Sequence, residues 1–303
     1  MPTGRFAPTP SADLHLGNLR TGLLAWLFAR AAGSRFLLRI EDLEPRPSSA
    51  SVAARQVADL AAIGLDWDGP VLHQSSRRAR HEEVLARLVD AGLTYPCFCT
   101  RREIRDAAAA PHAPTGAYPG TCRDLSEADR ADRAAEGRPA ALRLRSDGEP
   151  VTAVDRLRGE VTGVVDDIVL RRNDGVPAYH LAVVVDDHDQ GVAEVVRGDD
   201  LLAATPSQAR LCDLLGFERP TWAHVPLVLG PDGARLAKRH GAVTLADLTA
   251  RGRTPDEVRS LLAASLGLAE PGEPVTLDDL LARFDPEALP RDAWVLDPAD
   301  LDR

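Results

Sequence analysis

The chain has 303 residues, a formal charge of −10, 44% hydrophobic residues and four cysteines. That length allows one or two domains with a full core. No apolar run approaches the roughly 18 residues of a membrane span, and the polar, proline-punctuated start has no signal-peptide character. These features argue against a membrane-spanning helix, and predict a soluble, cytoplasmic protein whose thiols bind metal rather than pair.

The first ninety residues alternate strand and helix patterns. Residues 4–7 read as a short buried strand, and 17–32 as a helix with Leu19, Leu23, Leu27 and Ala31 on one face. A strand follows at 36–40, then helices at 48–63 and 76–91, the second with Gly92 just past its end. Such alternation predicts an α/β fold with a doubly wound parallel sheet, which binds ligands at the carboxyl ends of its strands. From about 95 to 156 the rhythm breaks into a cysteine cluster, an alanine run and a polar helix at 126–136, which predicts an inserted subdomain. Sheet-like segments resume at 165–170, 180–185 and 192–196. A helix starts at Thr205 with Pro206 at its first turn and Gly216 after its end. Residues 221–229 read as a strand, Gly230-Pro231-Asp232-Gly233 as a turn, and 244–303 as mostly helical, with Thr254-Pro255 opening one helix. The implied division is 1–94 and 157–243 as two halves of a catalytic domain, 95–156 as an insertion and 244–303 as a helical end region.

Charge is uneven along this plan. Residues 77–145 hold 13 arginines against 10 acids, whereas 252–303 hold 5 against 12. An RNA backbone is therefore expected to meet the middle of the chain and not its end. Among the 36 basic residues only one is lysine, Lys238, in Arg235-Leu236-Ala237-Lys238-Arg239. A composition that uses arginine wherever a cation suffices has kept one compact ammonium, the group that reaches a phosphate as a point charge.

The N-terminal run Arg5-Phe6-Ala7-Pro8-Thr9-Pro10 leads into His15-Leu16-Gly17-Asn18 at a helix start, a seat for phosphate. Together, residues 15–18 and 235–239 resemble the HIGH and KMSKS signatures of the class I aminoacyl-tRNA synthetases. Asn18 stands for the second histidine, and Arg235, Ala237 and Arg239 depart from the lysine-serine pattern. The wider run from Arg5 to Asn18, with Arg39-Ile40-Glu41-Asp42, resembles the glutamyl branch. So does Tyr179-His180-Leu181-Ala182-Val183-Val184-Val185-Asp186-Asp187 followed by Val195-Val196-Arg197-Gly198. The resemblance implies a Rossmann-type catalytic domain that uses ATP with Mg2+. Catalysis falls to His15, Gly17 and Lys238, and ATP binding to His15, Gly17, Asn18 and Lys238. L-Glutamate is held by Arg5, Phe6, Ala7, Pro8, Thr9, Glu41, Tyr179 and Arg197: arginines for its carboxylates, an acid for its ammonium.

Cys97, Cys99 and Cys122 supply three thiolates of a tetrahedral zinc site, while Cys212 reads as a small core residue. Residue chemistry leaves the fourth ligand open among Tyr118, His112, Asp124 and water. The glutamyl-type pattern Cys-x-Cys…Tyr-x-x-x-Cys implies Cys97, Cys99, Tyr118 and Cys122 around one structural zinc. The chain ends about sixty residues after Lys238, without the helical anticodon-binding domain of the full-length glutamyl enzymes. It thus most resembles their truncated paralogues, the glutamyl-Q tRNA(Asp) synthetases. That family activates glutamate without tRNA and attaches it to queuosine in the anticodon loop of tRNA(Asp). A monomer is expected. The alternatives are a ligase charging a tRNA acceptor end with a separate anticodon-binding partner, and a non-enzymatic tRNA-binding module.

Overall fold

The computed structural model describes residues 2–44, 49–100, 102–104, 118–236 and 243–302. Its strands are β1 (Thr3–Phe6), β2 (Arg35–Ile40), β3 (Leu72–His73), β4 (Thr94–Cys97), β5 (Ala141–Leu144), β6 (Pro150–Asp155), β7 (Gly159–Val164), β8 (Val169–Arg171), β9 (Val192–Gly198), β10 (Thr221–Val225), β11 (Val228–Leu229) and β12 (Trp294–Val295). Seven form one sheet in the order β3-β2-β1-β9-β10-β6-β7. Its pairs are parallel except the β6–β7 hairpin at one edge. This is the expected α/β parallel sheet, with one antiparallel edge strand.

Neighbouring strand residues separate into two apolar layers, as the two-residue period of a strand requires. Val195 and Trp222 join a cluster with the helices Arg78–Asp90, Tyr179–Asp189 and Thr205–Leu215. Val196 and Ala223 join the other, with α1 (Leu16–Ala31) and the C-terminal helices. Gly4 lets β1 lie close on α1, since a Cβ there would come 2.9 Å from that of Ala29. The C-terminal helices Leu245–Ala250, Pro255–Ala264 and Leu277–Arg283 each begin with a threonine capping box, at Thr244, Thr254 and Thr276. Buried Arg20 ties α1 to them and to β10, donating to Pro226 O at 2.8 Å and Ser265 Oγ at 3.1 Å.

Three sequence expectations change. Residues 180–185 are helical, inside Tyr179–Asp189, where Leu181 to Asp187 are all buried. A helix buried on every side shows no polar face, so its run of valines resembles a strand. Residues 165–170 are a strand only from Val169, in a small antiparallel sheet β4-β5-β8. The stretch 221–229 divides into β10 and β11 around Pro226. The region around the cysteines shares its small sheet with β8, and β6 joins the large sheet beside β10. Among the described residues no helix is long and apolar enough to cross a membrane.

Candidate active site

The chain runs outward from β1 to β2 and β3, then returns to lay β9 on the other side of β1. This reversal opens a crevice at the strands' carboxyl ends. The cavity there, about 510 Å³, is lined by Arg5, Phe6, Ala7, Pro8, Thr9, His15, Gly17, Asn18, Glu41, Tyr179 and Arg197, with Gln56, Asp200 and Arg235 among the others. The structure thus gathers the glutamate and ATP candidates around one space, with the exception of Lys238, which lies outside the described residues.

Arg5 and Arg39 share one buried acid. Arg5 donates to Asp187 through Nε (3.0 Å) and Nη2 (3.2 Å), and Arg39 Nη1 reaches the same carboxylate at 2.7 Å. Arg39 Nη2 also reaches Glu41 Oε1 at 3.4 Å. Burial opposes ionisation of Asp187, but Arg39 and Arg5 outweigh it and hold its carboxyl below the ordinary range. For Glu41 burial wins over the same two arginines, with Asp187 adding to it, and the carboxyl lies above its ordinary value. A cation placed against Glu41 restores the charge balance that burial upsets.

Arg197 is different. Only 6% exposed, it donates through Nε to His224 Nε2 (2.9 Å), through Nη1 to Gln208 Oε1 (2.7 Å) and through Nη2 to Thr205 Oγ1 (3.0 Å). Tyr179 OH sits 3.4 Å from Nη1. His224 in turn donates from Nδ1 to buried Asp155 at 2.5 Å, which fixes Nε2 as the acceptor facing Arg197. Among the described residues Arg197 makes no ion pair, and burial, the largest influence, lowers its pKa. A buried guanidinium with neutral partners at a cavity wall calls for an anionic ligand.

His15 opens α1. Its Nδ1 accepts from Asn18 N–H at 3.3 Å, and Asn18 Oδ1 accepts from His15 N–H at 3.2 Å, a reciprocal cap. Burial, then the Arg235 guanidinium, push its pKa down to about 4, so the ring is neutral at pH 7 and carries its proton on Nε2. Asn18, which departs from the second histidine of the signature, supplies the return bond of that cap. Gly17 leaves room for the ring: a Cβ there would fall 2.9 Å from His15 Cε1 and 3.0 Å from Nδ1. Gly17→Ala is therefore expected to displace the imidazole and slow glutamate-dependent ATP–pyrophosphate exchange by about tenfold or more, as sub-ångström misplacement of a reacting group does. Exchange within about twofold of wild type would show that the ring's position is immaterial.

The flanks of the lysine segment are fixed beside this helix start. Leu236 N–H donates to Val228 O at 3.0 Å, and on the far side Val243 O accepts from Leu16 N–H at 2.9 Å. His15 and Thr244 form a β-bridge. Residues 237–242, with Lys238 and Arg239, lie between these anchors in the chain and outside the described residues.

The cysteine cluster is a separate centre. The Sγ atoms of Cys97, Cys99 and Cys122 lie within 4.8 Å of one another, with Cys99 and Cys122 3.5 Å apart. The Tyr118 hydroxyl is 3.3 Å from Cys97 Sγ and 3.6 Å from Cys99 Sγ, and accepts from Cys122 N–H at 3.0 Å. A tetrahedron with metal–sulfur arms of about 2.3 Å has edges of about 3.8 Å, so these four atoms fit a zinc ion after small adjustments. Asp124 points elsewhere, to Arg145 at 3.1 Å, and His112 lies outside the described residues. Arg143 covers the Tyr118 ring at 3.7 Å.

Asp187, Arg39, His224 and Asp155 are the residues that sequence reasoning did not assign to the site. Arg39 carried a signal, a charge inside the apolar run 36–40, which in a buried strand demands a partner; Asp187 stands among other polar residues at 186–190 and carried none.

Residues 3–303 match the family described as the catalytic domain of the class I tRNA synthetases for E and Q. The glutamyl-Q tRNA(Asp) synthetase of Nocardia farcinica is 64% identical over 97% of this chain and 92% of its own length. That of Symbiobacterium thermophilum is 48% identical over 95% and 94%. The crystal structure of a glutamate tRNA ligase from Elizabethkingia meningosepticum, in complex with its amino acid, superposes with a TM-score of 0.83 at 27% identity. It covers 99% of this chain and 68% of that one.

Proposed function

Because the chain belongs to the class I tRNA synthetases of the glutamyl and glutaminyl type, a family of ligases, we propose that it activates L-glutamate with ATP in the absence of tRNA and transfers the glutamyl group to queuosine at the wobble position of tRNA(Asp). The observation that carries the glutamate part is the charge pattern of the cavity. Arg197 has no carboxylate partner among the described residues, and Glu41, its side chain 11% exposed, is an acid that gains from a cation. Arg197 and the outer edge of Arg5 would take the two carboxylates, Glu41 the ammonium, and Tyr179 and the 6–9 segment the carbon chain. The acceptor part is supported by relatives of that name, matched over 92% and 94% of their lengths.

In this reading the glutamate α-carboxylate attacks the α-phosphorus of ATP in line, the new carboxyl–phosphate bond forms, and pyrophosphate leaves with the electrons of the broken anhydride. The protein supplies position and charge. His15 Nε2–H and the positive end of the α1 dipole stabilise oxygens that gain charge, and Lys238 neutralises the phosphates.

Cys97, Cys99, Tyr118 and Cys122 would hold one zinc, which when bound pins the small sheet β4-β5-β8; no step of the reaction needs it. Metal analysis is expected to find one zinc per chain. Tyr118→Phe weakens its retention against chelator and His112→Ala leaves it unchanged. Zinc-free protein purified without chelator, or loss on His112→Ala alone, contradicts the assignment.

The acceptor is tested by offering labelled glutamate to tRNA(Asp) with and without queuosine and to tRNA(Glu). Label is expected on queuosine alone, as a base-labile ester, with the 3′ end uncharged. Transfer is expected to weaken with salt more steeply than adenylate formation, since only transfer displaces counterions from a phosphate backbone laid along the arginines of residues 77–145. Label on the 3′ adenosine of tRNA(Glu), or equal charging of tRNA(Asp) lacking queuosine, would refute the acceptor and leave glutamate activation intact.

A further inference from the structure

Three adjacent strands carry one line of side chains across the sheet. Arg197 on β9 stands in register with His224 on β10, and partners in register point to the same face. Asp155 ends β6, the next strand. It is buried and its hydrogen-bonding capacity is full. Oδ1 accepts from the backbone N–H groups of Leu157 (2.9 Å) and Arg158 (2.8 Å), and Oδ2 from the backbone N–H of His224 (3.0 Å) and from its Nδ1 (2.5 Å). Four donors on two oxygens fit a carboxylate and not a carboxamide. Burial opposes ionisation of Asp155, but these donors outweigh it and hold its carboxyl below the ordinary range. Burial above all lowers the pKa of His224, which keeps the ring neutral. Arg197 meets its surroundings unevenly. Its three short bonds go to His224, Gln208 and Thr205, none of which lines the cavity. Its two long ones, 3.4 Å to Tyr179 OH and 3.3 Å to Leu201 O, go to residues that do. The guanidinium is fixed on its buried edge and loosely held on the edge a ligand can reach.

We propose that Asp155 and His224 are positioning residues that make Arg197 select a carboxylate over a carboxamide. The inference rests on the function proposed above, in which Arg197 takes a glutamate carboxylate. Every atom that holds the buried edge of Arg197 must accept a hydrogen. An imidazole can face it with a lone pair or with an N–H, and the bond from Nδ1 to Asp155 leaves only the lone pair. The negative charge that enforces this stays one imidazole away from the guanidinium, whereas Asp187 touches Arg5 directly. Arg197 is therefore oriented by an acid that does not occupy its cavity edge, and that edge offers positive charge and N–H donors. A ligand carboxylate accepts on both oxygens. A carboxamide has no charge and brings an NH2 group to meet those donors, so the same site rejects it.

Asp155→Asn tests the relay. Its NH2 must face two of the four donors; turned toward His224, it donates to Nδ1 and drives the ring proton to Nε2, against Arg197 Nε–H. In ATP–pyrophosphate exchange the glutamate requirement is expected to rise about tenfold or more, with the ATP requirement within about twofold of wild type. The preference for glutamate over glutamine is expected to fall about tenfold or more. In the Arg197→Gln background the same change is expected to add less than about twofold to the glutamate requirement, since the residue it acts through is gone. Nitrogen NMR of histidine-labelled protein is expected to find the His224 proton on Nδ1 in wild type and on Nε2 in Asp155→Asn. An unchanged glutamate requirement, an unchanged preference over glutamine, a parallel rise for ATP, or an undiminished loss in the Arg197→Gln background overturns the proposal. Should Asp155→Asn fail to fold, the wild-type spectrum carries the test, and a proton on Nε2 of His224 overturns it. Wild type that exchanges no pyrophosphate with glutamate is the distinct failure of the underlying reading.

Discussion

Lys238→Arg is expected to slow adenylate formation by roughly one to three orders of magnitude while the melting temperature and glutamate binding stay at their wild-type values. The expectation rests on a single substitution that the rest of the chain has accepted everywhere else: 35 of its 36 Lys and Arg positions are arginine. Charge is conserved in the variant, so any loss belongs to shape. A planar guanidinium spreads its charge over a wide fork, whereas an ammonium on four methylenes brings one compact charge to an oxygen of a phosphate in flight. The flanking residues Leu236 and Val243 are hydrogen-bonded on either side of the segment, beside the helix start that holds His15. Pre-steady-state adenylate formation is the measurement. Exchange at close to the wild-type rate would remove the argument for Lys238.

The second large effect is expected at Arg197. Arg197→Gln takes away a buried cation whose described partners are all neutral, so a glutamate carboxylate loses its counter-charge, at about 2–4 kcal/mol or roughly 30- to 700-fold in the glutamate requirement. The ATP requirement is expected to change little, and Arg197→Lys to recover part of the loss. Arg5 is a less clean test. Its Nε and Nη2 are occupied by Asp187, and removing it leaves that buried acid with Arg39 alone. Parallel rises in the requirements for glutamate and ATP in Arg197→Gln would mean that this arginine supports the cavity as a whole and does not read the amino acid.

Much of the fold was legible because its elements are amphipathic or punctuated. Gly216 does adopt a left-handed conformation (φ 69°) after the Thr205–Leu215 helix, and Ser126 and Thr254 do cap the helices they introduce. The Tyr179–Asp189 helix was not legible, because an element buried on every side loses the periodicity that distinguishes helix from strand. The same burial concealed its role: it presents Tyr179 to the cavity from one end and Asp187 to two arginines from the other. The His224–Asp155 pair was invisible for another reason. It joins strands β10 and β6, 69 residues apart, and neither residue belongs to a local motif. What the motifs disclosed were the groups that face the cavity; what only the fold discloses are the groups that hold those in place.

The cap at His15 joins two properties usually studied apart. One hydrogen bond, from Asn18 N–H to Nδ1, both starts the helix and freezes the imidazole in one rotamer and one tautomer. Immobilising a side chain at the moment of binding costs about 0.5–1.5 kcal/mol, and here that ordering is completed when the chain folds. In the proposed reaction, arriving nucleotide would meet a donor that has no rotational freedom left to lose. The corollary is that helix nucleation and rate cannot be varied independently at position 15: a substitution that frees the ring also frays the helix, and selection on either property acts on both.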